Sequence, residues 1–573
     1  MHPKQTTPVP DKTVSNGDEQ LDFGGARYIG NFHKTLPRHV NGSGEVDPKS
    51  YVAMAEICDQ QLDCEFIAAS TGATKLINPL AGRAHETLGP DPQNIHMTAA
   101  PSVLSDSTAA EIVELFWMAK LRDLPLDQFD QSNLKDAVAD IASAYGRAVN
   151  SETHTIGDLR LGLDLPQKSA ASGGALDINL STLFRAGLKD EEHGPLISQF
   201  LLHDINYGAQ LVRQTQVPYK TGADYLTGFI PWLDAQRTGK DGDGNAYPTC
   251  NNFTSNPAYF ETSRRRIATM RDMARFVNRD ALHQAYFNAA LLLDAWGAQV
   301  DSGNPYRSLY KRQVGFGTLG GPNLLAMVTE VSTRALKAVW RQKWLHRRLR
   351  PEAYGGLMHV QHTGGPKGKR DYGLPTWLFD GGLKISPYLT SSDYFLPIAF
   401  TAGSPAHPAY GAGHATVAGA CVTVLKAWFD EDVKMTDLFK DAPKPKDPSP
   451  YFPAKVALNL WQPGSFTDGP LPVYAGADAM KLTVGGELNK LAANVALGRG
   501  MGGVHWRSDN TRSLRLGEQV ATIMLKRILP TYAERPLSLS YTNFDRNLVT
   551  IQSDGSVKVA DDPNLEAFYT RQF

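Results

Sequence analysis

Apolar residues recur at helical spacing along most of this 573-residue chain. Apolar side chains three and four positions apart share one face of a helix, so such stretches predict helices that pack on a core. Thr108 and Glu111 have the spacing of a capping box, which predicts a helix start there. The other predicted helices cover residues 132–149, 196–214, 263–298, 322–349, 485–499 and 513–528.

The remaining stretches lack this periodicity. Residues 1–50 are rich in Pro, Gly, Asn and charge, which predicts an extended arm that packs on other parts of the protein or on a second subunit. Residues 150–190 and 215–262 are loop-rich, and 430–475 is predicted to be one long loop. The tail alternates apolar and polar residues around Asp554-Gly555, which predicts a hairpin.

The predicted fold class is therefore mostly α: helical bundles with a small C-terminal β-hairpin. The expected organisation is an N-terminal arm (1–50), an N-terminal helical region (51–320) and a C-terminal helical region (321–573). The length agrees with two or more domains or a pair of bundles.

Composition narrows the classes of partner. Hydrophobic residues make up 42% and charged residues 20% of the chain, which is ordinary for a soluble globular protein. The net charge of −1 gives no electrostatic reason to expect nucleic acid or an anionic membrane as a partner. No apolar run is long enough to span a bilayer, and the N-terminus has no apolar signal segment. We expect a soluble, cytoplasmic protein, with export by another route left open.

The candidate chemistry begins at residues 407–414, where a glycine-bearing turn, His407-Pro-Ala-Tyr-Gly-Ala-Gly-His414, leads directly into an apolar helical pattern. This order places Gly413 and His414 at a helix N-terminus. Unpaired N–H groups and the helix dipole both favour negative charge there. The stretch therefore predicts an oxyanion site.

Two cationic clusters flank this turn in sequence. Lys343 and Arg350 are seven residues apart, which puts them on one face if a single helix carries both, and Pro351 would then end that helix. Taken alone, a solvated basic face is the simpler interpretation, because His346, Arg347 and Arg348 are close by. The other interpretation is that both cations reach one pocket.

The downstream cluster contains Arg499, His505 and Asp509. The planar fork of an arginine binds two oxyanion oxygens at once. His505 offers a nitrogen for a metal, and Asp509 is spaced to accept a hydrogen bond from the other nitrogen of that ring. A structural His–Asp pair is the alternative for this cluster alone.

In combination, Lys-x6-Arg-Pro, a Gly-x-Gly-His turn and Arg-x5-His-x3-Asp resemble the signature of vanadium-dependent haloperoxidases. The pattern is shared with the acid phosphatase superfamily. His407, seven residues before His414, is similar to the algal and cyanobacterial bromoperoxidase branch, as are the segments 194–200, 225–228 and 488–492. The resemblance covers most of the chain from about residue 20.

The resemblance implies a vanadate cofactor and assigns roles around it. His505 would bond vanadium through Nε2, and His414 would be the acid–base residue that deprotonates hydrogen peroxide. Lys343 would also polarise the bound peroxide for attack by halide, and His407 would be a further catalytic residue. The groups that would neutralise the vanadate oxygens are Lys343, Arg350, Arg499 and the Gly413 N–H.

Three supporting residues follow from the same resemblance. Asp280 would hold Arg499, and an ordinary carboxylate on a helix surface is the alternative. Trp340 would line the halide side, and simple core packing is the alternative. Asp509 would orient His505.

One departure concerns the turn itself. The family's Pro-Ser-Gly-His is Gly411-Ala412-Gly413-His414 here, so one hydroxyl that bonds a vanadate oxygen is missing. That loss costs about 1–2 kcal/mol. His407 occupies the position of a phenylalanine in chloroperoxidases, which implies bromide and iodide rather than chloride as substrates.

The expected function is a vanadate-dependent peroxidase that oxidises bromide or iodide to hypohalous acid, which halogenates small organic acceptors. The closest alternative is a soluble acid phosphatase in which His505 is the nucleophile. A non-catalytic oxyanion-binding protein is a third hypothesis, against which the retained cations and histidines argue. Relatives imply a homo-oligomer, a dimer or an assembly of dimers. Structural calcium occurs in some relatives, but the sequence shows no convincing ligand cluster for it.

Overall fold

A computed structural model of the protein describes residues 15–39, 42–87, 89–151, 178–246, 256–441 and 458–571. Parts of the predicted arm and of the predicted loops at 150–190, 215–262 and 430–475 lie outside these residues. The helices are α1 (Pro48–Asp59), α2 (Asp106–Lys120), α3 (Gln131–Asn150), α4 (Phe229–Thr238), α5 (Met270–Arg279), α6 (Gln284–Ala295), α7 (Pro305–Ser308), α8 (Gly321–His346), α9 (Pro351–His362), α10 (Ser386–Ser391), α11 (Gly413–Trp428), α12 (Met435–Asp441), α13 (Val484–Met501), α14 (Arg507–Ile528) and α15 (Pro563–Arg571).

The strands are few and short. Two two-stranded antiparallel hairpins are formed by β1 (Asp22–Phe23) with β2 (Ala26–Arg27) and by β3 (Ile205–Tyr207) with β4 (Gln210–Val212). Near the C-terminus, β5 (Ser538–Thr542), β6 (Leu548–Gln552) and β7 (Val557–Val559) form an antiparallel sheet in that order. The predicted mostly α class is confirmed, and the hairpin around Asp554-Gly555 is the β6–β7 turn.

Helix α11 lies at the centre of the core. It packs against α8, α13 and α14, and every residue of α11 except His414 is buried. Glycines allow α11 and α14 to approach closely. A Cβ at Gly419 would lie 2.0 Å from the Leu514 carbonyl oxygen, and one at Gly517 would lie 2.0 Å from the Thr416 carbonyl oxygen. The helix that begins at the candidate oxyanion turn is therefore fixed by backbone-to-backbone packing.

Three local predictions were wrong. Residues 196–214 form a 3-10 turn and the β3–β4 hairpin instead of a helix, because Gly208 takes a left-handed conformation (φ +59°) and reverses the chain. The single helix predicted at 263–298 is two helices, α5 and α6, separated at residues 280–283. Helix α12 lies within the predicted 430–475 loop.

The large hydrophobic core contains residues from both sides of the predicted boundary near residue 320, and the domain division stays a prediction. Among the described residues, no helix has the length and apolar character needed to cross a membrane.

Candidate active site

The centre of the site is the N-terminus of α11. Gly413 is the first residue of the helix, and Ala412 is the N-cap residue without a side-chain cap. The first N–H groups of a helix have no acceptor within the helix. The Ala412 N–H donates to the Ser513 hydroxyl at 2.8 Å, so α14 fixes the end of the turn. The predicted helix N-terminus therefore exists, and the sequence analysis missed Ser513.

Lys343 and Arg350 do not share a helix, which corrects the prediction. Helix α8 ends at His346 because Arg347 takes a left-handed conformation (φ +49°). Arg350 is the N-cap residue of α9, and Pro351 begins that helix instead of ending the previous one. Proline suits the first helical position because its missing N–H would have no helical partner there. The two cations still enter one buried site from consecutive helices.

The Lys343 ammonium holds the turn through its backbone. It donates to the carbonyl oxygen of Pro408 at 3.1 Å, and to those of Ala409 at 3.5 Å and Gly411 at 2.5 Å. Its side chain is fully buried. Burial and the neighbouring charges of Arg350 and Arg499 hold the pKa of Lys343 well below its usual range.

Arg350 joins the turn to the His505 segment. Its guanidinium donates to the His407 carbonyl oxygen at 3.0 Å and to the Val504 carbonyl oxygen at 2.8 Å. It also lies 2.9 Å from His505 Nε2 and 2.9 Å from His407 Nδ1. Because arginine can only donate, both ring nitrogens accept these hydrogen bonds.

His505 is neutral, and its orientation is fixed. Its Nδ1 lies 3.0 Å from Asp509 Oδ2, so the Nδ1 proton is donated to the carboxylate and Nε2 carries the lone pair. Burial, followed by the charges of Arg350 and Lys343, holds the pKa of His505 well below its usual range. A neutral imidazole with a free-base Nε2 is the form that ligates a metal. The structure thus places Asp509 as expected.

A buried network that the sequence analysis missed supports Asp509. Arg348 donates to Asp509 Oδ1 at 2.8 Å and to the Ser508 hydroxyl at 2.9 Å. The Ser508 hydroxyl in turn donates to Glu111 at 2.6 Å, and Glu111 lies 3.6 Å from Arg348. The basic run near Lys343 is therefore not a solvated face, because Arg348 is buried and paired. The doublet of arginines before Arg350 was the only signal in the sequence.

Arg499 reaches the site from the last turn of α13 and is buried. It donates to the Val277 carbonyl oxygen at 3.0 Å and contacts the Asn278 side chain at 3.4 Å. The carboxylate of Asp280, expected to hold Arg499, is 3.1 Å from His414 Nε2, and a role toward Arg499 stays a prediction. Asp280 follows the last residue of α5, where extended backbone turns its side chain toward α11.

His414 is a site residue that solvent reaches. About 31% of its side chain is exposed, compared with 7% for Asp280 and 3% for His505. A partly exposed imidazole held by a carboxylate, beside a closed cation cluster, can exchange protons with solvent. This placement agrees with an acid–base role, which stays a prediction.

His407 and Trp340 lie on one side of the cluster. Their ring centroids are 5.1 Å apart, and the Lys343 ammonium lies 5.5 Å from the Trp340 ring centroid. Burial and the charges of Lys343 and Arg350 hold the pKa of His407 well below its usual range, so this imidazole is also neutral. Trp340 Nε1 donates to the Ile77 carbonyl oxygen at 3.2 Å. A role for these rings toward halide stays a prediction.

The site thus gathers positive charge in a closed space. Lys343, Arg350 and Arg499 are all buried and lie close enough for their charges to lower the pKa of His505. The hydrogen bonds described for Lys343 end on neutral carbonyls, which do not cancel a charge. Three buried cations, a helix N-terminus and one lone-pair nitrogen fit a multiply charged tetrahedral oxyanion such as vanadate.

A calcium site was a secondary expectation. Within the part of the chain that the structure describes, one group of potential cation ligands has atoms within 4.8 Å of one another: Asp190, Glu192 and His193. All three are partly exposed. Structural calcium stays a prediction.

Known proteins share this fold and sequence. Residues 323–533 match the family model described as the VCPO second helical-bundle domain. Vanadium-dependent bromoperoxidases from Corallina pilulifera and Corallina officinalis are each 31% identical, across 91% of this chain and 92% of theirs. The one from Ascophyllum nodosum is 29% identical, across 94% of this chain and 89% of its own.

The structural comparison agrees. The homohexameric structure of the second vanadate-dependent bromoperoxidase from Ascophyllum nodosum superposes with a TM-score of 0.78 at 27% identity, covering 96% of this chain and 89% of that one. The chain belongs to the vanadium-dependent haloperoxidase family, in its bromoperoxidase branch. It is an enzyme of this type, and the comparisons do not favour the acid phosphatase alternative.

Proposed function

We propose that this protein uses vanadate and hydrogen peroxide to oxidise bromide or iodide to hypohalous acid, which then halogenates small organic acceptors. One observation carries the proposal: a buried, neutral His505 presents Nε2 to a cluster of three buried cations. The bromoperoxidase relatives, similar over most of the chain, support it.

Each residue of the cluster has a task in this proposal. His505 Nε2 would ligate the vanadium, while Asp509 keeps the Nδ1 proton in place. Lys343, Arg350 and Arg499, with the Gly413 N–H, would hold the negative charge of the oxyanion. When bound, vanadate supplies a Lewis-acidic V(V) centre that makes peroxide electrophilic without a change of metal oxidation state.

Proton handling falls to His414 and Asp280. The carboxylate 3.1 Å from Nε2 orients the imidazole, and the exposed part of the ring communicates with solvent. His414 would accept the proton of incoming peroxide. Asp280 would thus serve proton transfer through its contact with His414.

The decisive experiment is halide oxidation by purified apo-protein titrated with vanadate, beside p-nitrophenyl phosphate hydrolysis without vanadate. We expect saturable, vanadate-dependent oxidation of bromide and iodide that is lost in His505→Ala. His85→Ala, at a partly exposed histidine that pairs with Asp91 at 3.1 Å, is the matched control and should retain activity.

Other outcomes would redirect the assignment. Phosphate hydrolysis that vanadate inhibits, with no halide oxidised, would support the phosphatase hypothesis. Vanadate binding with neither activity would support a non-catalytic oxyanion-binding protein. Turnover of chloride at saturating vanadate would contradict the preference for bromide and iodide that His407 implies.

We also propose a homo-oligomer. The structural neighbour from Ascophyllum nodosum is described as a homohexamer, and this chain superposes on 89% of the matched chain. Light scattering coupled to size exclusion should give a mass that is a multiple of 62.6 kDa. A monomer at micromolar concentration would contradict this part of the proposal.

A further inference from the structure

A second basic cavity lies outside the active site, with a volume of about 460 Å³. It is formed by the segment that follows β2, by residues 69–71 and by helix α4. The lining residues are Pro37, Arg38, His39, Gly42, Gly44, Ala69, Ser70, Thr71, Leu233 and Arg237. None of them belongs to the vanadate cluster.

The charge on this cavity is unbalanced. Among the lining residues that the structure describes, two are arginines and none is acidic. Burial, together with the like charge of Arg237, lowers the pKa of Arg38 to about 9. Asp234, the acid paired with Arg237, is 3.9 Å away, and both side chains of that pair are about half exposed, so it screens Arg237 weakly.

Arg38 has hydrogen-bonding capacity to spare. Its terminal nitrogens donate to the carbonyl oxygens of Gly44 at 3.3 Å, His33 at 3.0 Å and Gln236. A guanidinium has five N–H donors, and Arg38 Nε is buried without a hydrogen-bond partner. Neutral carbonyls leave the positive charge uncompensated, which is costly in a buried place unless an anion pairs with it.

The nearby acids are engaged elsewhere. The Glu45 carboxylate accepts from the Tyr372 hydroxyl at 2.7 Å and pairs with Arg370 at 2.9 Å. The Asp47 carboxylate caps α1 by accepting from the Ser50 N–H at 2.9 Å. These two described acids therefore bond to groups other than the guanidinium groups of Arg38 and Arg237.

We propose that this cavity binds a small molecule through an oxyanion group, a carboxylate or a phosphate, held between Arg38 and Arg237. The two guanidinium groups suit the paired oxygens of such a group. The Ser70 and Thr71 side chains add polar groups to the same wall. The volume matches that of small-molecule sites and leaves room for more than the anionic group.

The cavity is connected to the catalytic cluster through one ion pair. Lys34 and Glu352 form a buried ion pair at 2.8 Å, and Glu352 lies in the first turn of α9, next to the N-cap residue Arg350. Gln236, whose carbonyl accepts from Arg38, also donates to Glu352 at 3.3 Å.

The test is binding of two probes, inorganic phosphate and succinate, to the full-length apo-protein by calorimetry and thermal melting. Arg237→Gln removes a half-exposed cation and should leave the fold intact. Arg38→Lys keeps the positive charge but loses the planar guanidinium with its paired donors. Arg264→Gln is the matched control, at an exposed arginine outside the cavity. His505→Ala separates this cavity from the vanadate cluster, which also attracts phosphate.

We expect at least one probe to bind and raise the melting temperature in wild type, Arg264→Gln and His505→Ala. The dissociation constant should rise on the order of tenfold in Arg237→Gln and in Arg38→Lys. Binding of phosphate alone or of succinate alone would identify the anionic group. Unchanged affinity in both arginine variants, loss of binding in His505→Ala, or no binding of either probe would overturn the proposal.

Discussion

Substituting Arg348 by methionine is expected to weaken vanadate binding although Arg348 does not contact His505. The guanidinium donates to Asp509 Oδ1 at 2.8 Å, and the other oxygen of that carboxylate receives the His505 Nδ1 proton at 3.0 Å. Methionine fills a similar volume but cannot donate. Asp509 would then lose the partner that holds its second oxygen and become free to rotate away from the imidazole.

The expected size of these losses follows from the burial of the Arg348–Asp509 pair. The side chains of Arg348 and Asp509 are 3% and 0% exposed, so removing one partner leaves a nearly solvent-free carboxylate undercompensated. Loss of one partner of a buried ion pair costs about 3–5 kcal/mol of folding free energy. Loss of an outer partner of a metal-ligating histidine lowers metal affinity about 10–100-fold. We expect both effects in Arg348→Met.

The assay is vanadate affinity, from the vanadate-dependent rise in melting temperature and from direct titration. Arg347→Met is the matched control, since Arg347 is equally buried but pairs with Glu19 and Asp59. It should lose stability and keep its vanadate affinity. In an Asp509→Asn background, Arg348→Met should have little further effect on affinity. Equal affinity losses in the two arginine variants, or full additivity with Asp509→Asn, would refute the chain from Arg348 to His505.

Three further predictions concern single positions. Ala412→Ser restores a hydroxyl at the N-cap of α11 and should tighten vanadate binding about tenfold. A higher melting temperature of the apo-protein with unchanged vanadate affinity would show that the hydroxyl only caps the helix. Burial raises the pKa of Asp18 to about 6, so the stability that its neutral carboxyl contributes is fully present below about pH 3.8 and is lost as pH rises through about 6, a total change of about 3 kcal/mol. Urea unfolding of Asp18→Asn should lack this part of the pH dependence, and parallel profiles for both proteins would count against it. Gly419→Ala should lower the free energy of unfolding by at least about 1–3 kcal/mol, because its Cβ would meet the Leu514 carbonyl oxygen. Gly146→Ala, where no atom lies within 4 Å of the new Cβ, should not destabilise the protein. Equal unfolding free energies in the two variants would refute the packing argument.

The predictable parts of the fold are those in which local periodicity and tertiary packing agree. The helix predicted at 132–149 is α3 and the one at 322–349 is α8, each within a few residues. The three motif segments meet because α8 and α13 both pack on α11. We inferred that the three segments form one pocket because a single oxyanion needs several cations, and periodicity did not show it.

Other features depended on contacts that a sequence does not display. The start of α2 is capped by Ser105, whose hydroxyl accepts from the Thr108 N–H, and the predicted capping box failed because Glu111 is drawn into the buried network of Arg348. In the β3–β4 hairpin, Tyr207 and Leu211 are about half exposed, so apolar spacing there did not mark a buried helical face. Asp280 could be placed near the site from its position in the chain, but its partner His414 depended on how α5 ends.

The carbonyl oxygens of the turn and a bound oxyanion would compete for the same hydrogen-bond donors of Lys343. An ammonium has three N–H donors, and here all three point to carbonyl oxygens of residues 408–411. An incoming oxyanion that takes one of these donors displaces a carbonyl of the same turn that carries Gly413 and His414. The affinity measured for vanadate would therefore reflect the difference between two sets of bonds to one ammonium.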